Sequence, residues 1–143
     1  MIQPAVSFHF AGTQGTLTQR TTLKQFLVTL FRKEKKSLES LTYIFCSDDY
    51  LLDINRRHLQ HDYYTDIITF NMADKLQPVT GEIYISLDRV RDNANTFNVP
   101  VKHELHRVIF HGALHLCGYK DKTKEQEALM RKMEEKYLKK YFQ

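Results

Sequence analysis

No run of the 143 residues approaches the eighteen or so consecutive apolar side chains that a membrane-spanning helix needs, so a transmembrane protein is not expected. The opening residues lack the charged-then-apolar pattern of a secretory leader, which makes a cytoplasmic location the simplest expectation. Cysteine is nearly absent. Cys46 and Cys117 are far apart in sequence, each in an apolar context, which predicts buried free thiols rather than a disulfide framework. With only five glycines and three prolines, and no repeat or low-complexity segment, there is neither a linker nor a domain boundary to place. One domain spanning residues 1–143 is expected, long enough to bury a real core.

What is present is globular in kind: 42% hydrophobic and 12% aromatic residues, with a net charge of +4. A basic balance of this size is compatible with a polyanionic partner such as RNA but does not require one. The run Arg32-Lys33-Glu34-Lys35-Lys36 and the lysines near the C-terminus could follow a phosphate backbone, although such runs are usually solvated helix faces.

One stretch demands a chemical explanation. In His111-Gly-Ala-Leu-His115-Leu-Cys-Gly118-Tyr-Lys-Asp121 the two histidines are four apart, roughly 40° around a helix, so both rings can reach one ion. Gly118 is the residue best able to end that helix in a left-handed turn. Asp121 can then swing back. Two nitrogens, one oxygen and an open position make the ligand set of a catalytic site, with zinc expected and nickel, manganese or iron compatible. Zinc peptidases of the His-Glu-x-x-His type carry a general-base Glu after the first His; Gly112 stands there, which argues against peptide hydrolysis. Gly112 is expected instead to let another backbone pack close. Cys117, about 200° around from His115, points away from the ion. His103 and His106 do not converge on it either and are expected at the surface or at a cap.

The periodicities supply the scaffold. Strands are expected at Ala5 to Phe10, Leu41 to Cys46, Thr65 to Phe70 and Gly81 to Ser86. Helices are expected after Thr18, after Ser47 or Asp48, after Ser86, from about Val101 to Cys117, and after Thr123, each of these Ser, Thr or Asp residues serving as a cap. The last helix should bury Leu129, Met130, Met133, Tyr137 and Tyr141. Strands interleaved with helices and then three helices in succession indicate an α+β fold, a small mixed sheet covered by helices.

The metal stretch resembles the signature of the YbeY family of bacterial metal-dependent endoribonucleases, His-Gly-x-Leu-His-Leu-x-Gly-Tyr-Asp-His, at every specified position through Tyr119. Lys120 then stands for the family's Asp and Asp121 for its third His. A second block, from Ile54-Asn55 through Phe70, shares Asn55, Asp62, Thr65, Asp66 and Phe70 with the family. The resemblance implies four strands, about five helices, a metal at one end of a groove, and cleavage of single-stranded RNA in ribosomal RNA maturation, with ribosome or ribosomal-protein partners. The family's Arg, expected to serve RNA cleavage, falls on Leu59, and Arg56 or Arg57, a turn earlier, could supply the guanidinium instead. His58 and His61 flank Leu59 and could touch substrate. Thr65 and Asp66 are expected to fix the start of their strand, and Glu82, where the family tends to have Asp, could face the groove. A metal-stabilised ribosome-assembly factor, non-catalytic or weakly catalytic, is the competing reading, favoured by Leu59; a metal hydrolase of a small substrate or peptide is a third.

Overall fold

The computed structural model describes residues 4–143. Alternation in β1 (Ala5–Ala11) turns Val6 and Phe8 inward. Helix α1 (Arg20–Lys33) then carries the chain back so that β2 (Leu38–Cys46) lies parallel to β1, with Phe8 beside Tyr43. A parallel pair needs such a crossover. Helix α2 (Asp48–His58) leads to β3 (Ile67–Asn71), which runs antiparallel to β4 (Val79–Ser86), and β4 lies parallel to β2. The order β1-β2-β4-β3 makes a mixed sheet with β3 at one edge. Three helices follow in succession: α3 (Leu87–Phe97), α4 (Val101–Leu116) and α5 (Lys124–Tyr141). The expected α+β architecture, four strands and five helices, is the one observed among the described residues.

One face of the sheet carries the main core. Leu23, Leu27, Leu30 and Phe31 of α1 meet Leu41, Tyr43 and Phe45 of β2 and the apolar face of α4. Helix α4 is tied to the sheet by a buried polar contact, the Tyr43 hydroxyl donating to the Ile109 carbonyl at 2.8 Å. The other face is covered by α2, where Leu51 packs near Cys46 and Ile68. Both cysteines are buried and free, and burial pushes each thiol up to about 12, which leaves them unreactive at neutral pH.

The caps at Ser47, Ser86 and Thr123 form as expected, the last as a reciprocal capping box with Gln126. Thr18 does not cap α1. Leu17 is drawn into the core, and the chain enters the helix one residue later through Gln19, held at φ 56° with no side-chain cap. On α5, Met130 and Tyr137 are buried, but Leu129 lies to one side of that stripe and is half exposed.

Gly112 faces the sheet edge, where side chains rather than backbone press on it. A Cβ there would lie 2.9 Å from Cδ1 of Ile67 and 3.0 Å from both Cδ1 and Cγ2 of the fully buried Ile83. Gly112→Val is therefore expected to destabilise the fold by about 1–3 kcal/mol through overpacking. An unchanged thermal midpoint would mean that this wall yields freely.

Candidate metal centre and groove

Helix α4 ends at Leu116, and the chain reverses through Gly118 at φ 109°. No atom crowds that glycine, so its role is conformational. The backbone N–H of Gly118 donates to the His115 carbonyl (3.0 Å) and that of Tyr119 to the Leu114 carbonyl (3.1 Å), closing the turn. The Tyr119 hydroxyl then donates to Glu34 at 2.8 Å, and Tyr137 donates to the same carboxylate, pinning the turn to the end of α1. Burial and the Glu34 charge push the Tyr119 phenol up to about 12.

So anchored, Asp121 returns to the two histidines. Its Oδ2 lies 3.3 Å from Nε2 of His111 and its Oδ1 3.4 Å from Nε2 of His115, and one donor atom from each of the three residues lies within 4.8 Å of the other two. Zinc bonds of about 2.0–2.1 Å place tetrahedral ligands about 3.3–3.4 Å apart, and each histidine stands at that spacing from one oxygen of Asp121, a different oxygen in each case. Partial exposure of His115 (34%) and Asp121 (37%) leaves a side open to the groove.

Behind His111 stands a charged network that the sequence reading missed. Nδ1 of His111 lies 2.5 Å from a carboxylate oxygen of Glu134, a residue of α5 buried to 4% exposure. With Nδ1–H donating to Glu134, the lone pair of Nε2 is turned to the ion site. Burial disfavours a charged His111 ring, but Glu134, with help from Asp121 and Asp66, outweighs burial and holds its pKa above the usual value. Arg107 bridges Glu134 (3.1 Å) to Glu104 (2.7 Å) and reaches Asp66 at 4.0 Å. Burial raises the Asp66 pKa, while Arg107 and His111 pull it down less strongly. A signal was available: Glu104, Arg107 and His111 recur at helical spacing along α4, and Glu134 interrupts the Met130, Tyr137 stripe of α5.

His106 sits differently from expectation, whereas His103 is partly exposed in the first turn of α4. His106 is 2% exposed, stacked on Tyr141 with ring centroids 5.1 Å apart, and His103 stacks on Phe142, because the end of α5 folds across this face of α4. Both lie outside the group of His111, His115 and Asp121 that could hold an ion. His106 Nδ1–H donates to the Lys102 carbonyl at 2.7 Å; burial lowers the His106 pKa and outweighs the lift from that bond, and the charges of Lys102 and His103 lower it further. The unfolded chain then takes up the proton first as pH falls below the ordinary value of about 6.5, so stability should decline there by up to about 1.4 kcal/mol per pH unit. In His106→Phe this contribution should vanish; urea midpoints at pH 7 and pH 5 that shift equally in both proteins would contradict it.

The ion site opens into a groove of about 760 Å³ between α4, the edge strand β3 and the chain that follows α2. Asn55, Leu59, His61, Tyr63, Thr65 and Asp66 line it together with Arg107, His111, His115 and Asp121. Thr65 and Asp66 thus precede β3, which starts at Ile67, and belong to the groove wall. Arg56 and Arg57 lie outside the lining, paired at the exposed end of α2 with Asp62 (2.5 Å) and Asp53 (2.6 Å). His58 packs edge-on to Phe70. Glu82 lies outside the lining too, accepting from the Tyr84 hydroxyl on the α2 side of the sheet.

A sequence profile of the family described as Endoribonuclease YbeY matches residues 11–142. The chain belongs to the YbeY family. Among its curated relatives, the Endoribonuclease YbeY of Cytophaga hutchinsonii is 49% identical over 138 residues, covering 96% of each chain. The protein of the same name from Porphyromonas gingivalis is 43% identical, covering 93% of this chain and 87% of its own. A Thermotoga maritima protein known from a solution structure superposes with a TM-score of 0.61 at 28% identity, over 96% of this chain and 89% of the other. Within this YbeY-family fold no helix among the described residues is long and apolar enough to cross a membrane.

Proposed function

We propose that this chain is a metal-dependent endoribonuclease that cuts single-stranded RNA, acting in the cytoplasm on ribosomal RNA during maturation and in association with the ribosome. One divalent ion, best matched by zinc, is held by His111, His115 and Asp121, and the whole chain serves as one catalytic domain. The observation that carries this reading is the pair of donor separations of 3.3 and 3.4 Å in a groove open to substrate, with Glu134 setting the tautomer of His111. A bound ion supplies Lewis-acid charge for a phosphoryl oxygen and lowers the pKa of bound water. The protein's own contribution is orientation: Glu134 fixes His111, Tyr119 fixes the turn bearing Asp121, and the groove aligns the strand.

Arg56 and Arg57 are proposed to contact RNA phosphates where the strand passes the end of α2. Their present pairs are exposed, worth little, and easily exchanged for a phosphate. The competing assembly-factor reading keeps one supporting observation, Leu59 on the groove wall where a guanidinium is expected.

The deciding experiment removes all metal with a chelator, restores defined ions one at a time, and incubates each form with an end-labelled single-stranded RNA. Fragments are expected only with ion present. Ion-loaded protein that produces none, while chelation markedly lowers its melting temperature, would instead make the ion structural and the chain an assembly factor.

A further inference from the structure

The α2 side of the groove lining carries no lysine or arginine, since Arg56 and Arg57 lie outside it. Its exposed lining residues are Leu59, His61 and Tyr63, apolar or aromatic and without a fixed cation, whereas Arg107 and the ion ligands come from α4 and the turn after it. Tyr63 is 56% exposed, yet its position is determined. Its carbonyl accepts a 2.8 Å bond from the side chain of Asn55, itself only 1% exposed. The Asn55 carbonyl in turn accepts the amides of Leu59 (3.1 Å) and His61 (3.2 Å), closing a tight turn through Gln60 at φ 56°. The ring is supported as well as the backbone: His61 stacks against it at 5.2 Å and 19°, and the Tyr63 hydroxyl meets His61 Nδ1 at 3.0 Å. A large aromatic side chain held in one place while more than half exposed has already lost the freedom that binding usually costs.

Resting on the endoribonuclease reading, we infer that Tyr63, backed by His61, is a stacking platform for an unpaired nucleobase of the RNA whose phosphate is presented to the ion site. Every base offers a π-face, so the platform selects single strands over duplex without selecting sequence. Leu59 then has a positive role. In place of a guanidinium that would draw a phosphate to this wall, it extends the apolar surface on which the base lies. Within the groove the two walls divide the nucleotide between them, base to the Tyr63 side and the phosphate at the ion site to the α4 side, and Arg56 and Arg57, outside the lining, meet phosphates beyond it.

The test uses ion-loaded protein and a labelled oligoadenylate with phosphorothioate linkages to slow cleavage, read by fluorescence anisotropy. Tyr63→Ala should bind roughly tenfold more weakly, and Tyr63→Phe close to wild type, since one stacked base carries an effect of about that size. The sequence contains no tryptophan, so Tyr63→Trp provides a sole reporter at the platform. Its fluorescence should be quenched by the oligoadenylate and not by the same backbone lacking bases. Tyr63→Ala binding as tightly as wild type, or a reporter indifferent to the bases, overturns the platform and leaves the endoribonuclease reading standing. A wild-type protein that binds no RNA at all overturns both.

Discussion

Arg107→Ala should destabilise the protein by about 3–5 kcal/mol, the usual consequence of removing one partner from a buried ion network. Glu104 is 2% exposed and Glu134 4%, and Arg107 is their common cation at 2.7 and 3.1 Å. Truncating it leaves Glu104 without a cation in a low-dielectric setting and Glu134 with only the His111 ring, and Asp66 loses its guanidinium partner. Lysine should not rescue the loss, because one ammonium cannot reproduce the forked contacts by which Arg107 Nε and its terminal nitrogens reach Glu104 and Glu134 together. Urea denaturation of the metal-free proteins reads the effect without interference from the ion. A loss under 1 kcal/mol would show that water reaches this network and shields it.

His115→Ala, by contrast, should leave the metal-free fold nearly unchanged, since its ring is one-third exposed and supports no core contact comparable to those of α4. Its effect falls on the ion. Removing one of the three proposed ligands leaves His111 and Asp121, and ion affinity should drop by more than the roughly 10–100-fold typical of removing an outer hydrogen-bond partner. Metal-dependent cleavage should then be undetectable at ion concentrations that saturate the wild type. Glu134→Ala should give the intermediate result, with affinity weaker by about 10–100-fold because His111 loses its orienting acceptor, together with a loss of stability that His115→Ala does not share. Calorimetric zinc titrations of the three proteins separate these cases. Wild-type affinity in His115→Ala would remove that residue from the ligand set and with it the proposed centre.

The difference between these two residues reflects what could be read along the chain. His111 and His115 announce themselves because four-residue spacing on a helix is a purely local relation, and Gly118 and Asp121 complete the motif within six residues of His115. Glu134 meets His111 across two helices, and its contact depends on how α5 packs on α4. Nothing in the spacing of 23 residues between them specifies that. The same packing overturns the expectation for His106, whose polarity suggested the surface, whereas Tyr141 and Phe142 arrive from the far end of α5 to bury it.

Local chemistry in the sequence thus determined the helices and strands, three of the caps, the free thiols, the family and a three-residue candidate for an ion. These follow from periodicity, side-chain type and short-range hydrogen bonding, which act between neighbours. Tertiary structure decided the rest: the charged network behind His111, the side-chain rather than backbone contact at Gly112, the exclusion of Arg56 and Arg57 from the groove lining, and the place of Leu59 and Tyr63 on it. Each depends on where a residue from one element meets another far away in the chain. The free energy of burial that brings such residues together belongs to the assembled core and is not carried by any one segment.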